Sequence, residues 1–253
     1  MLLLVRKTKK AVIIMKKTVL VIGGSKGIGF ATAKKFMEND FNVIITGRNI
    51  ERLKKASIVL NNCPYIIWDV KDVSKAEEYV ATAHDCFGSI DVFVNNAGIV
   101  TDAQWNGEGF PNVSMSTWDD TMDVNLRGIY FLCQAEAKYM IKNAIKGHIV
   151  NVCSEMGFRA APDAYGISKW GVRGMTLGIA RSLATHKIVV NAVAPGETAT
   201  EILRQKEDVI TKMDSPRGIR AMPCEIANAI YFLATDDNMI GTILQTDGGR
   251  SLY

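Results

Sequence analysis

Short runs of aliphatic and β-branched residues alternate along the chain with longer, helix-length segments. The short runs predict strands at Thr18–Ile22, Asn42–Thr46, Tyr65–Trp68, Asp91–Val94, His148–Cys153, Ile188–Ala192 and Thr242–Gln245. Helices are predicted near 27–38, 74–86, 117–142, 163–184 and 223–234. Strands that are apolar along their whole length are buried on both faces, as in a parallel sheet covered by helices. The strand–helix–strand alternation implies right-handed crossovers and an α/β fold with a doubly wound parallel sheet. No linker rich in Pro, Gly or Ser divides the chain, so residues 17–253 read as a single domain.

Composition narrows the class. Of 253 residues, 48% are hydrophobic and 22% charged, which excludes a disordered, collagen-like or disulfide-stapled chain. Unbroken apolar runs reach only five or six residues, as in Ala229–Ala234. A membrane span needs about 20, so no membrane partner is expected. The net charge of +4 is a property of the first residues, where Arg6, Lys7, Lys9, Lys10, Lys16 and Lys17 stand without an acid. The rest of the chain is close to neutral, and no nucleic-acid face is expected. Residues 1–16 read as a disordered basic extension or an upstream start, with Met15 as the alternative first residue. Residues 1–14 are expected to be dispensable. Cys63, Cys86, Cys133, Cys153 and Cys224 are odd in number, far apart and form no C-x-x-C, which fits a reduced cytoplasmic compartment. His84, His148 and His186 have no metal-ligand spacing, so no metal is expected.

The conspicuous polar and glycine residues all fall at carboxyl ends of predicted strands: Gly23–Gly29, Arg48, Asp69, Asn95–Gly98, Ser154, and Pro195 with Gly196. In an open α/β sheet that edge binds ligands. Gly23, Ser25, Lys26, Gly27, Ile28 and Gly29 lie in a G-x-x-x-G-x-G turn between the first strand and a helix. Such a turn brings backbone and helix N-terminus close to a pyrophosphate. The second strand ends in Arg48 and lacks the carboxylate that would bond a ribose 2′-hydroxyl. Arg48 and Lys26 instead suit a 2′-phosphate, which favours NADP(H) over NAD.

Tyr165 and Lys169, spaced i, i+4, fall on one face of a predicted helix. An ammonium beside a phenol favours the phenolate, so the pair is an acid/base candidate, with Ser154 upstream to polarise a carbonyl or hydroxyl. Together with GGSKGIG (23–29), NNAG (95–98), Asn125 in VNLRG, NVCSEMG (151–157), YGISK (165–169), NAVAPG (191–196) and DGG (247–249), these residues resemble the short-chain dehydrogenases/reductases. The resemblance spans residues 18–249.

The resemblance implies a Rossmann-type fold and an oxidoreductase that interconverts a secondary alcohol and a ketone. It implies Tyr165 as general acid or base, Lys169 lowering its pKa and holding the nicotinamide ribose, and Ser154 orienting the carbonyl. Asn125 would bend its helix and hold a relay water. Asp69 and Val70 would contact adenine. Asn96, Ala97 and Gly98 would pack near a ribose. Pro195 and Gly196 lead to Thr198 and Thr200, which would face the nicotinamide carboxamide. The partner implied is a small carbonyl or alcohol substrate, and the family's assembly implies a homo-oligomer, tetramer or dimer, through the helices near 117–142 and 163–184. Ser154 and Tyr165 stand 11 positions apart, shorter than in the family, and the missing residues fall in the substrate loop 158–164. Thr101–Ser116 is expected to form another pocket wall. Two alternatives stay open: a 3-oxoacyl-thioester reductase of fatty-acid synthesis, and a cofactor-sensing regulator without chemistry.

Overall fold

The computed structural model describes residues 16–201 and 215–252. Residues 1–14, expected to be dispensable, lie outside the described residues, as do residues 202–214. Seven strands form one parallel sheet: β1 (Thr18–Ile22), β2 (Asn42–Gly47), β3 (Tyr65–Ile67), β4 (Val92–Asn95), β5 (His148–Val152), β6 (Val189–Pro195) and β7 (Ile243–Thr246). Their order is β3-β2-β1-β4-β5-β6-β7. The chain winds outward in opposite directions from β1 and β4. In such a sheet the switch point, beyond the carboxyl ends of the strands, is where ligands bind.

The fully apolar strands feed two cores. Leu20 and Ile22 of β1 face one side with Ile44, Phe93, Ile149 and Val190. Val19 and Val21 face the other with Val43, Val92, Val150 and Val193. On the first side lie α3 (Ala76–Asp85), α6 (Ile129–Lys142) and α7 (Ala164–Leu183). On the second lie α1 (Gly27–Glu38), α2 (Ile50–Val59) and α8 (Pro223–Leu233). Burying both faces of a central sheet is what the two-sided hydrophobic pattern requires. Helices α3 and α6 are further joined by a wholly buried pair, His84 Nε2 and Glu136 Oε1 at 3.0 Å.

Several elements differ from the sequence expectation. The segment near 117–142 is not one helix. It is α5 (Met115–Met122), a π-helical turn over Asp123–Gly128, and then α6. The wider turn ends at Gly128, where a Cβ would lie 2.4 Å from the Val70 carbonyl oxygen. Helix α2 was missed; it begins at Asn49, whose side chain accepts a hydrogen bond from the Arg52 amide. Its many charged residues hide a short buried stripe of Leu53, Ala56 and Ser57. The expected wall at Thr101–Ser116 contains a one-turn helix, α4 (Asp102–Trp105), closed by a capping box between Thr101 and Gln104. Strand β6 runs three residues past its expected end, to Pro195.

Candidate active site

The glycine turn is held against the sheet by packing that leaves no room for a side chain. A Cβ on Gly29 would meet the Gly23 carbonyl oxygen at 2.2 Å and Asn96 Nδ2 at 2.4 Å. Asn96 Nδ2 in turn donates to that carbonyl at 3.1 Å, tying the end of β4 to the turn. At the start of α1, Lys26 is the N-cap and supplies no side-chain cap, and the first turn holds no acid. The free amides and the positive helix end are therefore left for an anion. Ser25 and Ile28 flank these amides, Ile28 packing into the core beneath. Arg48, at the end of β2, is exposed and forms no ion pair with the described residues. These features fit a dinucleotide pyrophosphate and a phosphorylated ribose.

Further along the edge, Asp69 Oδ1 accepts from the Lys71 amide at 3.0 Å, and Val70 is buried beside it. Ala97 packs on the core. Gly98 lies close to two expected site residues: a Cβ there would be 3.6 Å from Lys169 Nζ and 3.7 Å from Asn125 Oδ1. Pro195 and Gly196 stand at the end of β6, opposite Thr246 and Asp247. Thr198 and Thr200 are buried, and their hydroxyls donate within their own loop, to the carbonyls of Gly196 and Thr198.

The catalytic candidates converge where β5 ends and α7 begins. Asp163 caps α7 by accepting from the Gly166 amide at 2.8 Å. That fixes Tyr165 in the first turn and Lys169 one turn on. Ser154 is buried after β5; its Oγ accepts from the Met156 amide at 3.2 Å. The Ser154 side chain also reaches the Tyr165 phenol, where its hydrogen bond favours the phenolate. Lys169 is buried and donates to the Val152 carbonyl at 3.1 Å. Its ammonium lies 5.6 Å from the Tyr165 ring centroid. Asn125 sits in the π-turn and is bonded on both atoms: Oδ1 accepts from the Ile99 amide at 2.8 Å, and Nδ2 donates to the Ile99 carbonyl at 2.9 Å. Asn125 thus locks the strand-four loop to the turn that carries it.

Burial dominates the electrostatics of the Tyr165–Lys169 pair. Burial pushes the Tyr165 phenol up to about 12, and the charges of Cys153, Glu155 and Asp163 add to the rise. Burial also lowers Lys169. With the ammonium held on a carbonyl, it does not offset the desolvation of the phenol. At neutral pH Tyr165 is therefore protonated, the form a proton donor needs.

Sequence reasoning missed a chain of alternating charges beside this trio. Glu155, directly after Ser154, is buried and pairs with Arg250 at 3.2 Å and Arg159 at 3.7 Å. Arg250 also binds Glu197, which receives Arg220 at 3.1 Å. The only signal in the sequence was two acids, each adjacent to a motif residue. The short loop lines an open recess of about 550 Å³ through Phe158, Arg159 and Ala160, faced by Gln245 and Ser251. Among the described residues, no group of His, Cys, Asp and Glu side chains is arranged to hold a metal.

The family model described as short chain dehydrogenase matches residues 17–210. The 3-oxoacyl-[acyl-carrier-protein] reductase FabG of Thermotoga maritima is 38% identical over 92% of this chain and 97% of that protein. A 3alpha-hydroxysteroid dehydrogenase of Mediterraneibacter gnavus is 33% identical over 92% and 96%. Among solved structures, ElxO with NADP bound superposes with a TM-score of 0.85 at 33% identity, covering 94% of this chain and all of that one. With the glycine turn, the Ser154–Tyr165–Lys169 cluster and the sheet order in place, the chain belongs to the short-chain dehydrogenase family.

Proposed function

We propose that this protein is an NADP(H)-dependent oxidoreductase that interconverts a secondary alcohol and a ketone, with Tyr165 as the acid/base. The observation that carries this reading is the meeting of Ser154, Tyr165 and Lys169 at the same sheet edge as the uncapped helix α1. Gly23–Gly29 hold the pyrophosphate, Arg48 and Lys26 the 2′-phosphate, and Asp69 and Val70 the adenine. Asn96, Ala97 and Gly98 lie along the ribose, and Pro195, Gly196, Thr198 and Thr200 along the nicotinamide. When bound, the nicotinamide supplies or accepts the hydride. Ser154 Oγ orients the substrate oxygen, and the Tyr165 hydroxyl gives it a proton in reduction or takes one in oxidation. Lys169 holds a ribose and, with Asn125, forms the route by which the phenol exchanges its proton.

The single-domain boundary at residue 17 and a cytoplasmic location complete the reading; five free thiols support a reducing compartment. No helix among the described residues is long and apolar enough to cross a membrane. A homo-oligomer, tetramer or dimer, is supported by exposed apolar side chains on α6 and α7, among them Tyr130, Trp170 and Leu177. A 3-oxoacyl thioester is the favoured alternative substrate, because relatives in the same identity range reduce that class by name.

The test pairs NADPH fluorescence titration with steady-state rates on a panel of ketones, a 3-oxoacyl thioester included. Tyr165→Phe is expected to abolish turnover and leave NADPH affinity nearly intact. Lys169→Ala is expected to damage both. Retention of about a tenth of the wild-type rate by Tyr165→Phe overturns the assignment.

A further inference from the structure

Glu201 follows the Thr198–Thr200 loop, and its carboxylate meets the glycine turn and helix α2. A single oxygen, Oε2, receives two cations from separate elements: Lys26 Nζ of the glycine turn at 2.9 Å, and Arg52 Nη1 of α2 at 3.7 Å. The Lys26 hydrogen bond, reinforced by its charge and by Arg52, holds the Glu201 carboxyl below its usual range. The same loop leans on the glycine turn, since a Cβ on Gly27 would lie 3.3 Å from Thr200 Cγ2. Arg48 lies one residue before the Asn49 cap of α2, at the same end of that helix as Arg52.

An anionic oxygen held by two cations from different elements marks an anion position. We propose that this position belongs to the 2′-phosphate of NADP(H), that Arg52 is a third cation of that subsite beside Arg48 and Lys26, and that Glu201 is a built-in competitor that the phosphate displaces. The inference rests on the cofactor reading above. A phosphate bearing close to two negative charges attracts the cluster more strongly than one carboxylate. The side chains of Lys26 and Glu201 are 45% and 53% exposed, so their pairing is solvent-screened and reversible. Glu201 thereby lowers affinity for NADP(H) without touching NAD(H), which lacks the displacing group.

The two cofactors separate this role from a structural one. Dissociation constants for NADPH and NADH are to be measured by fluorescence titration on the full chain, for wild type, Glu201→Gln and Arg52→Gln. Glu201→Gln is expected to tighten NADPH about two- to fivefold, the range of one exposed ion pair, with NADH unchanged. Arg52→Gln is expected to weaken NADPH by about fivefold or more and again spare NADH. The gain in Glu201→Gln should shrink as salt is added. Should the wild type show no preference for NADPH, the cofactor reading fails and takes this proposal with it. If the preference is present but Glu201→Gln binds NADPH no more tightly, or tightens NADH equally, the Glu201 assignment alone is overturned. Equal weakening of both cofactors by Arg52→Gln removes Arg52 from the subsite.

Discussion

Tyr165 stands among groups that oppose its ionisation. Burial is the largest influence, and Glu155 on the neighbouring turn adds a like charge to any phenolate. Glu155 is itself raised by burial and pulled back by Arg250 and Arg159, so it depends on those partners to stay ionised. Removing its charge stabilises the phenolate, which lowers the Tyr165 pKa. In Glu155→Gln the rising limb of alcohol oxidation with pH should therefore move to lower pH, by about half a unit. A limb that stays put, or moves to higher pH, refutes the electrostatic role of Glu155. Cys153 behaves differently: its thiol donates to the Lys169 carbonyl at 3.3 Å and supports the backbone of α7.

At the scale of elements, the π-turn between α5 and α6 is the feature that aims Asn125 at the loop after β4. The turn ends at Gly128, where the chain passes too close to Val70 for any side chain. A methyl group there has backbone on the opposing side and no flexible atom to displace. Gly128→Ala should cost about 1–3 kcal/mol in denaturant unfolding. It should also reduce turnover, since Asn125 and the Val70 contact shift together. Wild-type stability in that variant would show that the π-turn is not enforced by packing. The cap at Asp163 has a parallel role for α7, holding Tyr165 in the first turn where the helix is otherwise free to fray.

For the whole molecule, the sheet face covered by α3, α6 and α7 leaves Tyr130, Trp170 and Leu177 each more than 40% exposed. Side chains of this size on adjacent helices are costly to leave in water. Light scattering is expected to give a mass at least twice that of one chain. Introducing a charge by Tyr130→Arg with Leu177→Arg should lower that mass while preserving the far-ultraviolet circular dichroism of the fold. A wild type that runs as a monomer at micromolar concentration contradicts the oligomer. Trp170 is left out of this test because its indole N–H donates to the Arg159 carbonyl and so also supports the short loop.

The sequence by itself determined the sheet, and it brought the candidate site residues to one edge of that sheet, for local reasons. Apolar runs specify two-sided burial, and the glycines of 23–29 specify close approach. The i, i+4 spacing puts Tyr165 and Lys169 together without reference to any distant residue. Tertiary structure alone decided what depends on residues far apart in the chain. The π-turn in the 117–142 segment meets Ile99 and Val70, both distant in the chain. The protonated state of Tyr165 needed the burial around it and the fixing of Lys169 on Val152. The charge chain joined Glu155 to Arg250, and a second set of ion pairs joined Lys26 and Arg52 to Glu201. Pattern reading sees neighbours along the chain, whereas burial and Coulomb interactions act between neighbours in space.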